Sequence, residues 1–515
     1  MDVSNISKYS MHKYWGKKPA TGLKPLVEKY SKEGDWVIDP FAGYGVFCCE
    51  AFLENRNVII NDLNPIANFI EKNLFSTNVD TNRLKKAWSR IREEIMPFIN
   101  TWYDVDICGN TYHAVSVLRD RNNLPVRLRY KTGEKTNIID IPSDVARLYV
   151  ERENAYNIED WYPQDVLIEN SRISATPGMR VSDLFTKRTL ACHARLFKLI
   201  NEHSDGEERD LMLMAFTANI ANCSKLVPPI KTRGALSQGA WMTGFYVGET
   251  YIENNVLHYF ENRLDKVIKG KEDFLRCVNG NLFRRQASSE YRITCDDAKH
   301  LSVEDNSIDY IFTDPPYGDS VPYFEQSILW NSWLGKQPSY EDEIVVSDSN
   351  SREKDVRNFE KDINMAISEI RRVLKVGKYF SLTFHSISGL EWKAVTNACV
   401  TNNFSVVEFE WLEQKTFTPR QLNRQKSIKG DVLVTFKKNA GEVLPQCYSD
   451  EAFSEIVYGF ILKKIRSGIT DTNGILMAIM EWVLRNMILI GNVDVFKILC
   501  SRFNIDDKGH WFAAK

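Results

Sequence analysis

An α/β fold is predicted, a doubly wound sheet interrupted by a large mixed insertion and followed by a helical C-terminal extension. Three observations predict it. Trp36–Asp39 is a short apolar run ending in an acid, and Pro40-Phe41-Ala42-Gly43-Tyr44-Gly45 follows, which reads as strand, tight turn and helix. Ile308–Thr313 repeats the buried-strand pattern and ends at Asp314-Pro315-Pro316-Tyr317. Between these two stretches the alternating rhythm is lost over 76–290.

The elements follow in order. The first turn opens a helix over 46–55, and 58–60 is a second short strand ending at Asn61-Asp62. Pro65 suits the first position of the next helix, where its missing N–H goes unneeded. This is the β-α-β opening of a doubly wound sheet. The insertion holds a helix over 83–99, a turn-punctuated β-rich piece over 111–141, and longer helical stretches over 184–225. The α/β rhythm resumes at Tyr291–Thr294. After Ile308–Thr313, a helix over 358–374 leads through Gly377 into a strand over 379–384. A helix over 391–402 leads to a strand over 404–411, which pairs as a hairpin with 431–436. From 445 onward the chain reads as amphipathic helices. The expected division is 1–75 and 291–440 as the two parts of one α/β domain, 76–290 as an insertion and candidate recognition region, and 441–515 as a helical accessory region.

Composition bounds the function classes. The 515 residues suggest two to four domains at about 150 residues each. Aromatics reach 12%, too many for a largely disordered chain. The net charge of −2 excludes a global polycation but leaves room for a local basic face. Ten cysteines include no C-x-x-C pair, which fits reduced thiols in a cytoplasm. The polar N-terminus lacks a signal-peptide core, and the apolar stretch 474–491 is broken by Glu481 and Arg485. A cytoplasmic protein without a membrane span is expected. The eight histidines suggest no metal site.

Two motifs carry chemistry. In Asp39-Pro40-Phe41-Ala42-Gly43-Tyr44-Gly45, glycines between strand and helix let backbone approach a ligand closely. Asp62 lies 19 residues beyond Gly43 at the next strand's end, a spacing that suits a carboxylate on ribose hydroxyls. Thr313-Asp314-Pro315-Pro316-Tyr317-Gly318 joins an acid, rigid carbonyls and an aromatic ring at another strand end. That set suits a planar base with an exocyclic amine, its hydrogens accepted by carboxylate and carbonyl and its face stacked on the ring.

Together these motifs resemble the S-adenosylmethionine-dependent amino-methyltransferases of DNA, which implies a Rossmann-like methyltransferase sheet. His12-Lys13-Tyr14-Trp15-Gly16-Lys17-Lys18-Pro19 is similar to the family's N-terminal motif near the methionine end of the cofactor. The order of N-terminal motif, cofactor motif, insertion and D-P-P-Y resembles the α arrangement, with target recognition in the insertion. Segments 58–65, 312–334 and 371–385, and more weakly 183–188, resemble the large adenine-specific DNA methylases that often carry a zinc ribbon. The ribbon cysteines are missing here, and the resemblance fades beyond residue 440. The resemblance implies that Trp15, Lys17, Pro19, Asp39, Phe41, Gly43 and Gly45 lie at the methionine part of the cofactor, and Asp62 at its ribose. Asp297 matches the acid at the cofactor's adenine, with Asp296 as the neighbouring alternative. Asp314, Pro315, Pro316 and Tyr317 would form the catalytic site, acting on a flipped base.

Basic stretches are candidate DNA contacts. Residues 412–430 hold Lys415, Arg420, Arg424, Lys426 and Lys429 against Glu413, and read as a loop on the phosphate backbone. Lys13, Lys17 and Lys18 add local charge, and Arg119, Arg121, Arg127, Arg129, Lys131 and Lys135 form a second basic region. The expected reaction is methylation of adenine N6 in double-stranded DNA. N4 of cytosine, guanine N2 of RNA, and a catalytically silent DNA-binding subunit stay open. A restriction–modification or phage-defence setting with separate subunits is compatible with this reading.

Overall fold

The computed structural model describes residues 7–234, 236–280, 289–318, 321–384, 389–413 and 430–513. Helix α1 (Ala20–Tyr30) precedes β1 (Trp36–Asp39), α2 (Val46–Leu53), β2 (Asn57–Asn61) and α3 (Pro65–Phe75). The long α4 (Thr81–Tyr103) follows, then β3 (Asp104–Ile107), β4 (Asn110–Arg119), β5 (Pro125–Thr132), β6 (Lys135–Asp140) and α5 (Ser143–Ala155). Helices α6 (Lys187–His203) and α7 (Gly206–Ile220), strand β7 (Tyr251–Asn254) and α8 (Val256–Gly280) complete the middle of the chain. Next come β8 (Tyr291–Thr294), β9 (Ile308–Thr313), α9 (Tyr323–Asn331), α10 (Val356–Val373) and β10 (Leu374–Phe384). Helix α11 (Gly389–Thr401), β11 (Phe404–Glu413) and β12 (Gly430–Lys438) close the main sheet.

Seven strands form that sheet in the order β11-β12-β10-β9-β1-β2-β8. Five run parallel, and β11 and β12 add an antiparallel hairpin at one edge. The chain builds outward from β1 through β2 to β8, then returns to build the other half from β9. The crevice between β1 and β9 is therefore a topological switch point, where open α/β sheets bind ligands.

Alternating side chains feed two cores. Val37 and Ile60 join the core with α1 to α4 and α6 to α8, while Ile38 and Ile59 join the core with α10 and α11. Helix α10 shows why such elements form: Asp355 caps Asn358 N–H at 2.8 Å, and Phe359, Ile363, Ala366, Ile367 and Ile370 make one buried stripe. The middle residues share a core with the first β-α-β unit, so they pack as a layer of the sheet rather than as a separate ball. They also carry a second sheet, β3-β4-β5-β6, with β7 paired to β4.

Two expectations need correction. Strand β10 begins at Leu374 and not at 379; Gly377, at φ +79°, accommodates a register shift between Leu374 and Tyr379 that keeps both ends paired to β9. The tail has three helices, α12 (Asp450–Arg466), α13 (Thr472–Arg485) and α14 (Val495–Arg502), but also four short strands. Gln446–Cys447 pairs with Ile488–Leu489, and Phe503–Ile505 pairs with Trp511–Ala513 around a turn held by Asp506 and Gly509. These strands are too short for periodicity to register. Among the described residues, no helix is long and apolar enough to cross a membrane.

Candidate active site

Strands β1 and β9 pair in the register Val37↔Tyr310 and Ile38↔Ile311, so Asp39 and Asp314 leave neighbouring strands at the same end of the sheet. Asp39 Oδ1 accepts from Phe41 N–H and from the Thr313 hydroxyl, both at 3.1 Å. Burial pushes its carboxyl well above the usual range. The turn that follows needs positive φ at Gly43 (+58°) and Gly45 (+80°). Gly43 N–H donates to Asp62 Oδ2, and Asn64 N–H donates to Asp62 Oδ1, each at 2.8 Å. Burial still pushes Asp62 up to about 6.

Asp314 has an asymmetric setting. Three donors converge on Oδ1: the Thr383 hydroxyl at 2.7 Å, the Tyr317 hydroxyl, and Lys18 Nζ at 3.2 Å. Among the described residues, no donor is directed at Oδ2, and a Cβ placed on Gly16 would stand 3.9 Å from it. Lys18 Nζ also lies 2.8 Å from Asp431 Oδ2 and 3.2 Å from the Tyr317 hydroxyl. Burial raises Asp314 to about 6, with Lys18 and Thr383 pulling the other way.

One cavity of about 890 Å³, counting its open mouth, joins these groups. Trp15, Lys17, Asp39, Phe41, Gly43, Asp62, Asp297, Asp314 and Pro316 line it. Of the two adjacent acids, Asp297 reaches the cavity, whereas Asp296 Oδ2 accepts Ser302 N–H at 2.9 Å. Pro19, Gly45, Pro315 and Tyr317 are not among its walls. Pro19 caps α1, and Pro315 is buried beneath the turn. Gly45 opens α2, where a Cβ would meet Glu71 Cγ at 3.4 Å. Tyr317 turns its hydroxyl to Asp314 and its ring edge to Phe384.

Of the basic residues read as DNA contacts, Lys13, Lys17, Arg119 and Arg129 are committed to partners within the protein, whereas Arg121, Lys131 and Lys135 are exposed. Lys13 Nζ donates to the carbonyls of Trp241 and Met242. Lys17 Nζ donates to the carbonyls of Tyr9 and His12, both at 2.9 Å, and burial lowers it to about 7. Arg119 is buried in a cluster with Glu153, Glu253 and Arg188, its Nε 2.7 Å from Glu253 Oε2. Arg127 pairs with Asp140, and Arg129 donates to the Leu236 carbonyl. Lys415, Arg420, Arg424, Lys426 and Lys429 lie outside the described residues. Among the described residues, no group of three or more His, Cys, Asp or Glu could hold a metal.

Sequence reasoning missed several walls of the cavity: Tyr14, Lys18 as the partner of Asp314, Tyr323, Asp342 and Glu343. Glu343 accepts Phe324 N–H at 3.1 Å and pairs with Arg352 at 2.6 Å, and burial raises it to about 7. The available signal was proximity to the D-P-P-Y turn, since residues 323–344 continue the segment that leaves it.

Residues 2–70 match the profile of a family described as DNA methylase. No curated protein matches the chain. Among solved structures, a SAM-dependent methyltransferase from Methanosarcina mazei is 13% identical over 30% of this chain and 69% of its own, with a TM-score of 0.17. A candidate DNA modification methylase from Thermus thermophilus is 12% identical over 32% of this chain and 61% of its own, with a TM-score of 0.18. The geranyl diphosphate C-methyltransferase of Streptomyces coelicolor A3(2) is 9% identical over 33% and 59%, with a TM-score of 0.19.

Proposed function

We propose that the chain methylates the exocyclic N6 amine of adenine in double-stranded DNA, drawing the methyl group from S-adenosylmethionine. The observation that carries this reading is the cavity that joins the Gly43 turn and Asp62 to Asp314. The match of residues 2–70 to a DNA methylase family supports it.

The residues fit the cofactor. Its cationic amino group suits a cavity walled by Asp39 and Asp314, and its ribose hydroxyls suit Asp62, which keeps acceptor capacity beyond its two backbone bonds. Asp297 suits the adenine side. The bound cofactor supplies an electrophilic methyl group on a sulfonium.

The chain's own groups do the rest. An aromatic amine is a weak nucleophile because its lone pair is delocalised into the ring. Asp314 Oδ2 is the proposed acceptor of one amine hydrogen, which turns the lone pair toward the methyl group. Transfer of that methyl group to the amine would leave a surplus proton on nitrogen, which Asp314 would take and pass to solvent. The Tyr317 hydroxyl holds Oδ1 and so fixes the carboxylate plane. A base inside a duplex cannot reach this cavity and must be flipped out. Lys415, Arg420, Arg424, Lys426 and Lys429 are the proposed phosphate contacts, on the strength of their charge density alone.

The test is mass spectrometry of nucleosides from DNA of a methylation-deficient host expressing the chain, beside an Asp314→Ala control. N6-methyladenine that the control lacks supports the reading. N4-methylcytosine keeps the mechanism and changes the target. No modified base in DNA overturns it.

A further inference from the structure

We infer that Lys18 is the positioning residue that keeps Asp314 anionic with Oδ1 committed, so that Oδ2 alone is presented to the substrate amine. The inference rests on the proposed role of Asp314 as the amine's acceptor. It starts from a geometry that this role does not require. Lys18 comes from the N-terminal segment, Asp314 from the end of β9 and Asp431 from the start of β12, and the three meet in the interior. Their side chains are 14%, 16% and 14% exposed, so water screens the contacts poorly.

The charges around Asp314 explain why a cation is needed there. Asp431 approaches from β12, Asp39 from β1, Tyr317 from the same turn and Tyr323 from α9, and Thr383 of β10 is neutral. The Asp431 carboxylate favours a proton on Asp314, and so does burial. Among the described residues, Lys18 is the cation opposing this, and the carboxylates of Asp314 and Asp431 raise its own proton affinity. A protonated Asp314 would place a hydrogen where the amine hydrogen must be received. The donor count gives Lys18 its second effect. With Tyr317, Thr383 and Lys18 on Oδ1, the carboxylate cannot rotate to exchange its oxygens without losing three bonds.

The test uses the full chain and two readouts. Infrared spectra are titrated with pH for the wild type, Lys18→Met and Lys18→Arg, with Asp314→Asn assigning the carboxyl band. In Lys18→Met the midpoint of the Asp314 band rises by at least one pH unit, about a tenfold gain in proton affinity. Lys18→Arg stays near the wild type, which separates charge from packing. Methyl transfer to duplex DNA is then followed across pH at saturating cofactor. The acid limb of Lys18→Met moves up with the band, activity at pH 7 falls about twofold for a one-unit shift from about 6 to 7 and more steeply beyond it, and it recovers at higher pH. An unmoved midpoint overturns the role of Lys18, whatever the activity. A moved band with no transfer by the wild type overturns the functional reading instead, and a moved band with an unmoved acid limb overturns the link between Lys18 and the reaction.

Discussion

Gly43 lies against the ring of Tyr14, and a Cβ on Gly43 would stand 3.0 Å from Tyr14 Cε1. The same residue holds φ at +58° and gives its N–H to Asp62. Gly43→Ala therefore strains the backbone by about 1–2 kcal/mol and crowds the cavity at once. The expected outcome is at least a tenfold weaker affinity for S-adenosylmethionine by calorimetry, with the far-ultraviolet circular dichroism unchanged.

Asp62 and Asp314 predict two separable pH effects. Burial raises both to about 6, so each loses its charge as pH falls through that value. In the proposed mechanism Asp62 holds the cofactor's ribose, so the dissociation constant is expected to rise below pH 6. In the same mechanism Asp314 receives the amine hydrogen, so turnover at saturating cofactor is expected to fall over the same range. Asp62→Asn removes the pH dependence of cofactor binding and leaves the acid limb of saturated turnover. Cofactor binding that keeps its pH dependence in Asp62→Asn would contradict the Asp62 assignment, and a saturated turnover that does not fall as pH drops through about 6 would contradict that of Asp314.

Arg119 predicts a stability effect in place of a DNA effect. Removing it leaves Glu153 and Glu253 buried with Arg188 as their remaining cation. Arg119→Met is expected to destabilise the fold by about 3–5 kcal/mol in denaturant titrations. The salt dependence of DNA binding should keep its slope, because no phosphate contact is lost. A changed slope at unchanged stability would restore Arg119 to the surface.

Gly270 lies in α8 where the N-terminal segment crosses it. A Cβ there would stand 2.3 Å from Met11 Cγ and 2.6 Å from the Ser7 carbonyl oxygen. Alanine is the better helix former by about 1 kcal/mol, yet Gly270→Ala should lower activity by displacing the segment that carries Trp15 to Lys18. Limited proteolysis near Lys13 should accelerate in this variant while global unfolding stays nearly unchanged.

The parts of the site that were legible in the sequence are those written locally. Asp39, Gly43, Asp62 and Asp314 each lie at or just beyond the end of a short apolar strand, so strand ends and turn glycines disclosed them. Lys18 was visible only as one more cation, because its partner Asp431 is 413 residues away. Arg119 failed in the same way. A cation in a β-rich stretch looks solvent-facing until Glu153 and Glu253 are brought to it by other elements. The opening β-α-β unit and the closing hairpin were foreseeable from the strand pattern, but the shared core of the first unit and the middle helices was not, since periodicity names a buried face without naming what covers it.

The pairing of Ile38 with Ile311 also sets a timetable for synthesis. A ribosome adding about 5–20 residues per second takes roughly 14–55 s to pass from one to the other. During that interval β1 and β2 have no β9, while α2 and α3 can already be roofed on one side by the helices that emerge next. The opposite side of β1 waits longer, until α10 emerges. A nascent chain released before α10 thus exposes Ile38 and Ile59 on an uncovered sheet face, a species suited to chaperone capture.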